Sequence, residues 1–398
     1  MRIAPQGAPR ARTLAAATRK WRRSGVVILL AMLGLMALAI EAAAQVPVPG
    51  KGSSRARKPG EQLEAAQYPV FEFHSGFWNN LHHVLYEQAR IREQRPLARP
   101  ETPNQRAGTL PKLSAGLPGP GEVLTAEEAR AWGEAVDYYV RTLGNRDLLF
   151  DSDMTILKNR LVEMANCGDL SGRSGAGCAS GLKAELVAAL ESAAGVYRAR
   201  WWNEHDRANR AWIAAATPLV QEHGTLLAEQ LARVYQSEWP TKRIRVDVCV
   251  YAGVHGGYTT LDPLHITISS GDVRNQGAAA LEVLFHEASH DLAEGVRNAL
   301  LREYRQRSKP VRRELWDAIL FYTTTEFVKQ AISREGTAGR KRAEQEAYWD
   351  RHRLTARGWQ NFQRALDRHW KPYLEAVMLG SAGPDDIERA LARVVEAL

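Results

Sequence analysis

The chain has 398 residues, of which 45% are hydrophobic and 25% charged, and this composition is typical of a globular protein. It argues against a disordered, collagen-like or multispanning membrane protein, and the length suits one large or two ordinary domains. The formal charge of +8 is concentrated in the first 44 residues, which contain seven basic side chains and one acidic side chain. The remainder therefore carries only +2. A nearly neutral body argues against a nucleic-acid binder that works through a basic surface.

Residues 1–44 have the layout of an export signal. A basic stretch ends at Arg23, an apolar run extends from Gly25 to Ile40, and small residues suited to a cleavage site follow it. The apolar run has 16 residues, fewer than the roughly 20 that span a bilayer comfortably. We expect a cleaved signal peptide and a mature protein in the periplasm or outside the cell. The alternative is an uncleaved membrane anchor formed by residues 25–40.

A linker and a helical N-terminal region follow the leader. Residues 45–66 are rich in proline, glycine, serine and basic side chains, as flexible linkers are. Within residues 67–240, an irregular excursion over 95–121 contains six prolines and four glycines. Thr125 and Glu128 form a capping-box pattern that begins a helix. The other predicted helices of this region cover 79–92, 153–164, 179–198 and 203–235.

Residues 241–398 change character and predict a small sheet followed by helices. An alternating β-branched strand covers 243–251, a turn contains Gly253, Gly256 and Gly257, and a second strand covers 265–269. The predicted helices then cover 277–300, 312–333, 341–379 with a break, and 384–398. The expected fold class is therefore α+β and predominantly helical.

The three cysteines differ in their expected roles. Cys167 and Cys178 flank a glycine- and serine-rich segment that a disulfide would close in an exported protein. Two reduced structural thiols are the alternative. Cys249 lies in an apolar strand, which favours a buried small hydrophobic side chain over a nucleophile.

The segment that indicates chemistry is His286-Glu287-x-x-His290, inside an apolar helical pattern. Residues i and i+4 lie about 40° apart on a helix, one turn up, so both imidazoles can bind one ion. Glu287 projects beside them, where it can accept a proton from water instead of binding the metal. The motif predicts a Zn²⁺ site; the alternative is two solvent-facing histidines on an ordinary helix.

A catalytic zinc usually has three protein ligands and an open fourth position. The downstream carboxylates considered for the third ligand are Asp291, Glu294, Glu303, Glu314, Asp317 and Glu326. Glu294 lies about 12 Å of helix rise from His286, too far for a shared ion, and Asp291 better suits a carboxylate that supports a ligand. Glu303 and Glu314 lie among arginines, which favours a solvated charged face. Glu326 stands out because it shares a helix face with Ile319 and Tyr322, where the pattern demands burial and a buried carboxylate needs a cation. The alternative is a glutamate that contacts an internal water or an arginine.

His286-Glu287-x-x-His290 with a glutamate on the next long helix resembles the gluzincin division of the zincin metallopeptidases. Three phrases, Phe-Glu-Phe-His-Ser, Tyr-Thr-Thr and Phe-Tyr-Thr-Thr-Thr-Glu, are similar to those of a group of uncharacterised exported bacterial proteins. The zincin resemblance covers about residues 243–335 and implies a zincin-like core, in which a small sheet precedes the HExxH helix and a glutamate-bearing helix. Strand 265–269 is similar in placement to the edge strand on which such enzymes bind a peptide.

Carried over by position, the resemblance implies His286, His290 and Glu326 as ligands and Glu287 as general base. Tyr322, one turn before Glu326, is a candidate donor to the oxyanion, with a packing aromatic as the alternative. His255 and His265 are candidates for substrate contact. His82, His83 and His369 are weaker candidates, and Trp201, Trp202 and Trp212 suggest core packing between helices.

The sequence therefore predicts an exported zinc metallohydrolase, a peptidase that acts on peptide or protein substrates. No nucleic-acid partner is expected, and membrane contact is expected only through an uncleaved leader. The alternative is a non-catalytic, zinc-containing binding or scaffold protein of the cell envelope, which would have a closed site with four protein ligands.

Overall fold

The computed structural model describes residues 70–93, 124–333 and 358–398 of the chain. These residues belong to one compact unit, Gln67–Leu398. The predicted leader 1–44, the linker 45–66, the excursion 95–121 and the first part of the predicted helix 341–379 lie outside the described residues.

Helices dominate the region before residue 240. They are α1 (Phe77–Arg92), α2 (Ala126–Thr142), α3 (Ser152–Glu163), α4 (Ala184–Arg200) and α5 (Trp202–Tyr235). The predicted capping box is present, because the Glu128 backbone N–H donates to Thr125 Oγ1 and the Thr125 N–H donates to the Glu128 carboxylate. Between α3 and α4, Cys167 and Cys178 form the predicted disulfide.

Four strands form one sheet in the order β1-β2-β4-β3. The strands are β1 (Phe71–His74), β2 (Ile244–Cys249), β3 (Gly257–Leu261) and β4 (Leu264–Ser269). β1 pairs parallel with β2, and β2 pairs parallel with β4. β3 runs antiparallel to β4, with Thr259 opposite Ile266, and forms the edge of the sheet.

Two of these strands were not predicted, and the expected edge strand was wrong. β1 has only four residues, Phe-Glu-Phe-His, whose apolar–polar alternation has the minimum length that indicates a strand. β3 begins at Gly257, within the segment that was predicted to be a turn because of its glycines. Strand 265–269 lies inside the sheet, between β2 and β3, so the two edge strands are β1 and β3.

The region after the sheet is helical. It contains α6 (Ala279–Leu292), α7 (Glu294–Gln306), α8 (Leu315–Ser333), α9 (Gln360–Ala365), a π-helical turn (Leu366–Trp370), α10 (Lys371–Met378) and α11 (Asp386–Ala397). The predicted single helix 277–300 is two helices joined at Ala293, whose φ of −88° and ψ of 1° end the first helix without a proline. The chain is mostly helical with a small sheet, which confirms the predicted α+β class at that level.

The sheet separates two hydrophobic cores. Ile244, Val246 and Ile266 point into the larger core, which the sheet shares with α5, α6, α8 and the C-terminal helices. Tyr258 belongs to the smaller core, which is formed by α1 to α4. Both β1 and α5 come from the region before residue 240, yet both pack in the larger core. Cys249 is fully buried and free, as predicted.

Candidate metal centre

Helix α6 brings together the three polar groups of the His-Glu-x-x-His motif. One ligand atom from each of His286, Glu287 and His290 lies within 4.8 Å of the other two. The two imidazole rings are 5.0 Å apart between centroids and nearly perpendicular. This arrangement follows from the four-residue spacing, which places both rings on one side of the helix.

The cluster is buried but is open at one end. His286 is 3% exposed and Glu287 5% exposed, whereas the side chain of His290 is 20% exposed. Among the described residues, the most exposed part of the cluster is therefore the His290 side chain.

Burial keeps both histidines neutral. It holds the pKa of His286 well below the ordinary value, with smaller contributions from the charges of His290 and His255. Burial also lowers the pKa of His290 to about 4, helped by the charge of Arg297. A neutral imidazole has the free nitrogen lone pair that a metal ion needs, so at neutral pH both rings are in the metal-binding form.

Thr259 of strand β3 holds the Glu287 carboxyl group, a role that was not predicted. Its hydroxyl lies 2.9 Å from Glu287 Oε2 and 2.7 Å from the Glu287 backbone carbonyl. Burial raises the pKa of Glu287 to about 8, while the Thr259 hydrogen bond lowers it and the charge of Asp317 raises it. The Glu287 carboxylate lies 3.6 Å from His290 Nε2, on the flank where the motif places the general base.

Aromatic side chains from the first turns of α8 fix the orientation of the two imidazoles. The ring of Phe321 stacks on His286 with centroids 3.8 Å apart. The rings of Trp316 and His290 meet edge to face, with centroids 5.2 Å apart. The Arg297 guanidinium lies over the Trp316 ring, 4.9 Å from its centroid. The rings are therefore held by packing as well as by their own helix.

A carboxylate from the same end of α8 also reaches the histidines. Asp317 Oδ1 lies 3.6 Å from His286 Nε2, and the Asp317 side chain is 28% exposed. Asp317 was one of six candidate third ligands in the sequence, and nothing in the local pattern distinguished it. What places it here is the packing of α8 against α6.

The structure does not bring Glu326 to the histidines. Its carboxylate lies 3.3 Å from Lys371 Nζ and is 26% exposed. Glu326 follows Asp317 by nine residues, which on a helix corresponds to about 13 Å of rise and a rotation of about 180°. Since Asp317 faces His286, Glu326 points to the opposite side of α8.

Tyr322 is also engaged elsewhere. Its hydroxyl donates to Asp367 Oδ1 at 2.6 Å, in the segment that joins α9 to α10. Burial and this carboxylate raise the pKa of the phenol. Tyr322 therefore packs and hydrogen-bonds away from the metal centre, and the role of oxyanion donor is not supported for it.

Of the two histidines considered for substrate contact, the structure places only His255 near the cluster. His255 lines a cavity of about 80 Å³ together with Arg90 and Tyr251, and its charge acts on His286. Two side-chain hydrogen bonds hold the loop that carries His255. Arg274 donates to the Val254 carbonyl at 2.8 Å, and Asn275 donates to the Gly256 carbonyl at 2.6 Å.

His265 lies in another environment, with the weaker histidine candidates of α1. It faces the charges of Asp247, Lys158 and Arg245. His83 hydrogen-bonds to the Tyr258 hydroxyl at 2.8 Å, and His82 to the Tyr139 hydroxyl at 3.0 Å. These are buried groups of the smaller core and its margin.

The remaining candidates have structural surroundings. His369, on the π-helical turn, faces charges of its neighbours and of α11. Trp201 and Trp212 are buried, in the smaller and the larger core respectively, and Trp202 packs against the smaller one. Core packing is thus confirmed for these tryptophans.

The donor set suits a zinc ion. Two neutral imidazoles from one helix, with the carboxylate of Asp317 3.6 Å from His286, offer the nitrogen and oxygen donors that zinc takes in enzymes. Within the described residues, His286, Glu287 and His290 form the one cluster of histidine, cysteine or carboxylate groups close enough to hold a metal.

No family model matches the chain, and comparisons with curated proteins and with solved structures give no match either. Across residues 70–93, 124–333 and 358–398, no helix is both long enough and apolar enough to cross a membrane.

Proposed function

We propose that this protein is a zinc-dependent metallohydrolase that cleaves peptide bonds. One observation carries the proposal: His286, His290 and Glu287 converge within 4.8 Å on a buried helix, with both imidazoles neutral. A buried carboxyl group beside two histidines is costly unless it has a chemical or electrostatic role. That cost favours a working site over an incidental cluster.

The residues divide the chemistry between them. His286 and His290 would hold the ion through their Nε2 atoms, and Glu287 would accept a proton from water and pass it to the leaving amine. When bound, zinc supplies a Lewis acid that polarises a substrate carbonyl and makes water more acidic. Glu287 accepts a proton only when it is ionised. Burial favours the neutral form, whereas a positive charge beside the carboxyl group would favour the ionised form.

Strand β3 is an edge strand of the described sheet, and such an edge supports a peptide substrate. An extended peptide can add to such an edge through backbone hydrogen bonds, which require no particular side chains. Thr259 of β3 contacts both the backbone and the carboxyl group of Glu287. A peptide aligned along β3 would therefore pass beside the general base.

We also propose that the protein works outside the cytoplasm. The Cys167–Cys178 disulfide supports this, because such bonds persist in oxidising compartments and are rare in the cytosol. Export remains a proposal that fractionation of the natural host would test. Recovery of the mature protein in the cytosolic fraction would contradict it.

The activity is tested with purified full-length protein, by measuring zinc content and hydrolysis of casein and of a peptide library. We expect zinc to bind and Glu287→Gln to lower kcat by about 100-fold or more while zinc content stays unchanged. Zinc binding with no hydrolysis sensitive to this change would point to the non-catalytic zinc protein. Absence of zinc uptake would overturn both.

A further inference from the structure

We infer that Asp317, not Glu326, is the third protein ligand of the metal, so that two helices hold the ion between them. The inference rests on the proposed zinc site and specifies its composition. With two histidines and one carboxylate bound, the fourth position of a tetrahedral ion stays open, as catalysis requires.

The distance between Asp317 and His286 supports this assignment. Two ligand atoms that each lie about 2.0–2.2 Å from one tetrahedral zinc are separated by about 3.4 Å. Asp317 Oδ1 and His286 Nε2 are 3.6 Å apart. The pair thus already stands at nearly the separation that a shared ion imposes. Asp317 lies outside the group of ligand atoms within 4.8 Å of one another, so its carboxylate must turn toward His290 when the ion binds.

The docking of α8 gives a second, independent reason. Trp316 and Phe321 both contact the imidazoles, Trp316 at His290 and Phe321 at His286. Asp317 lies next to Trp316 in the chain and one turn before Phe321, so it is on the helix surface that faces the site. Three side chains from the first two turns of α8 therefore surround the two histidines.

Glu326 fails on the same criteria. It lies about 13 Å further along the helix and on its opposite side. Its carboxylate contacts Lys371 Nζ at 3.3 Å. Bringing it to His286 would require α8 to slide and rotate, which would remove the stacking of Phe321 on His286.

Glu287 is the other carboxylate within reach, and its contacts favour the role of base. It sits 3.6 Å from His290 Nε2, but Thr259 holds the same oxygen at 2.9 Å. Asp317 approaches from a different helix and from the other histidine. The two carboxylates thus occupy different sides of the cluster, one as ligand and one as proton acceptor.

The test is zinc affinity, measured by competition with a chromophoric chelator, for the wild type and for Asp317→Asn, Glu326→Gln and Glu287→Gln. We expect Asp317→Asn to weaken zinc binding by at least about 100-fold, which is more than loss of a group that only orients a ligand. Glu326→Gln and Glu287→Gln should stay within about three-fold of the wild type. Cobalt(II) absorption should show an altered coordination sphere only in Asp317→Asn.

Wild-type affinity in Asp317→Asn, or a large loss in Glu326→Gln, would overturn the assignment while leaving the proposed function standing. A wild type that binds no zinc would instead overturn the proposed function. A zinc-edge anomalous difference map of wild-type crystals gives a separate answer that does not depend on how the Asp317→Asn variant folds. An ion within about 2.2 Å of an Asp317 oxygen is expected, and an ion bound to Glu326 refutes the inference.

Discussion

Thr259 contacts Glu287, the proposed general base, through a single hydroxyl group. Its oxygen contacts both the backbone carbonyl and the carboxyl group of Glu287. When Glu287 is neutral, as its raised pKa favours, Thr259 can donate to the carbonyl and accept from the carboxyl O–H. When Glu287 is ionised, the hydroxyl can turn and donate to the carboxylate. Thr259 can therefore hold the base in place in both protonation states.

Thr259→Val tests this positioning role because valine has nearly the same shape and lacks the hydroxyl. We expect kcat to fall about ten-fold, the effect of one hydrogen bond of about 1.4 kcal/mol, with KM and zinc affinity nearly unchanged. Thr259→Ser should retain most of the activity. An unchanged kcat in the valine variant would show that Thr259 has no such role.

His83 makes the stability of the fold sensitive to acid. Burial lowers its pKa to about 4 from the ordinary 6.5, its hydrogen bond to Asn79 opposes this, and the charges of Lys158 and His265 add to it. Between these two pKa values the unfolded chain binds a proton that the folded chain does not. The free energy of unfolding therefore falls as the pH drops from 6.5 to 4, by about 3 kcal/mol for this group.

Urea unfolding at several pH values checks this expectation. His83→Gln should show a shallower pH dependence than the wild type between pH 6.5 and pH 4, by up to about one proton. Tyr258→Phe is the matched control, since it removes the hydrogen bond to His83 and keeps the titrating imidazole. Equal slopes in His83→Gln and the wild type would contradict the prediction.

At the scale of elements, the sequence predicted what local spacing determines. His286, Glu287 and His290 lie on one helix, so a four-residue spacing was enough to bring them together. Asp317, the proposed third ligand, comes from another helix, α8, which is buried on nearly every side. A hydrophobic pattern without a clear polar face does not show which of Asp317 and Glu326 faces the histidines.

The sheet was predicted only in part for a related reason. β2 and β4 have the β-branched alternation of buried strands, whereas β3 has glycine and two threonines. Tyr258, Thr259 and Thr260 favour a strand, but the glycines before them predict a turn, and pairing with β4 decides between the two. The edge of the sheet, and with it the expected peptide site, therefore required tertiary structure.

We expect the Cys167–Cys178 disulfide to make a measurable contribution to the free energy of unfolding. Cys167 and Cys178 are separated by 11 positions, and closing a loop of that length stabilises the folded state by about 3 kcal/mol through the unfolded chain. Replacing both cysteines by serine should lower the free energy of unfolding by about this amount. Reductant should destabilise the wild type similarly and leave the double variant unaffected; a variant as stable as the oxidised wild type would contradict the prediction.

At the scale of the whole molecule, residues 241–398, which contain the candidate metal site, depend for their sheet and core on residues 67–240. β1 pairs with β2 along four residues, Phe71 opposite Ile244 at one end and His74 opposite Asp247 at the other. α5 contributes side chains such as Trp212 and Leu231 to the same core as the HExxH helix. The change in character near residue 240 thus marks a change in secondary structure within one compact unit.

Two shortened chains test this dependence. A chain beginning at residue 67 should fold and bind zinc like the full-length protein. A chain beginning at residue 241 should lack cooperative thermal unfolding and bind zinc weakly, because it loses β1 and α5. Circular dichroism and zinc content distinguish the two, and a well-folded 241–398 fragment would contradict the prediction.

Strand β3 presents different chemistry on its two faces, and this limits how its pairing with β4 can evolve. Tyr258 lies under Lys158 and beside His83, while the next residue, Thr259, contacts Glu287. A one-residue slip of β3 against β4 would exchange these faces. Homologous chains that keep the chemistry should therefore keep the length of the short turn between Leu261 and Leu264, which sets this register.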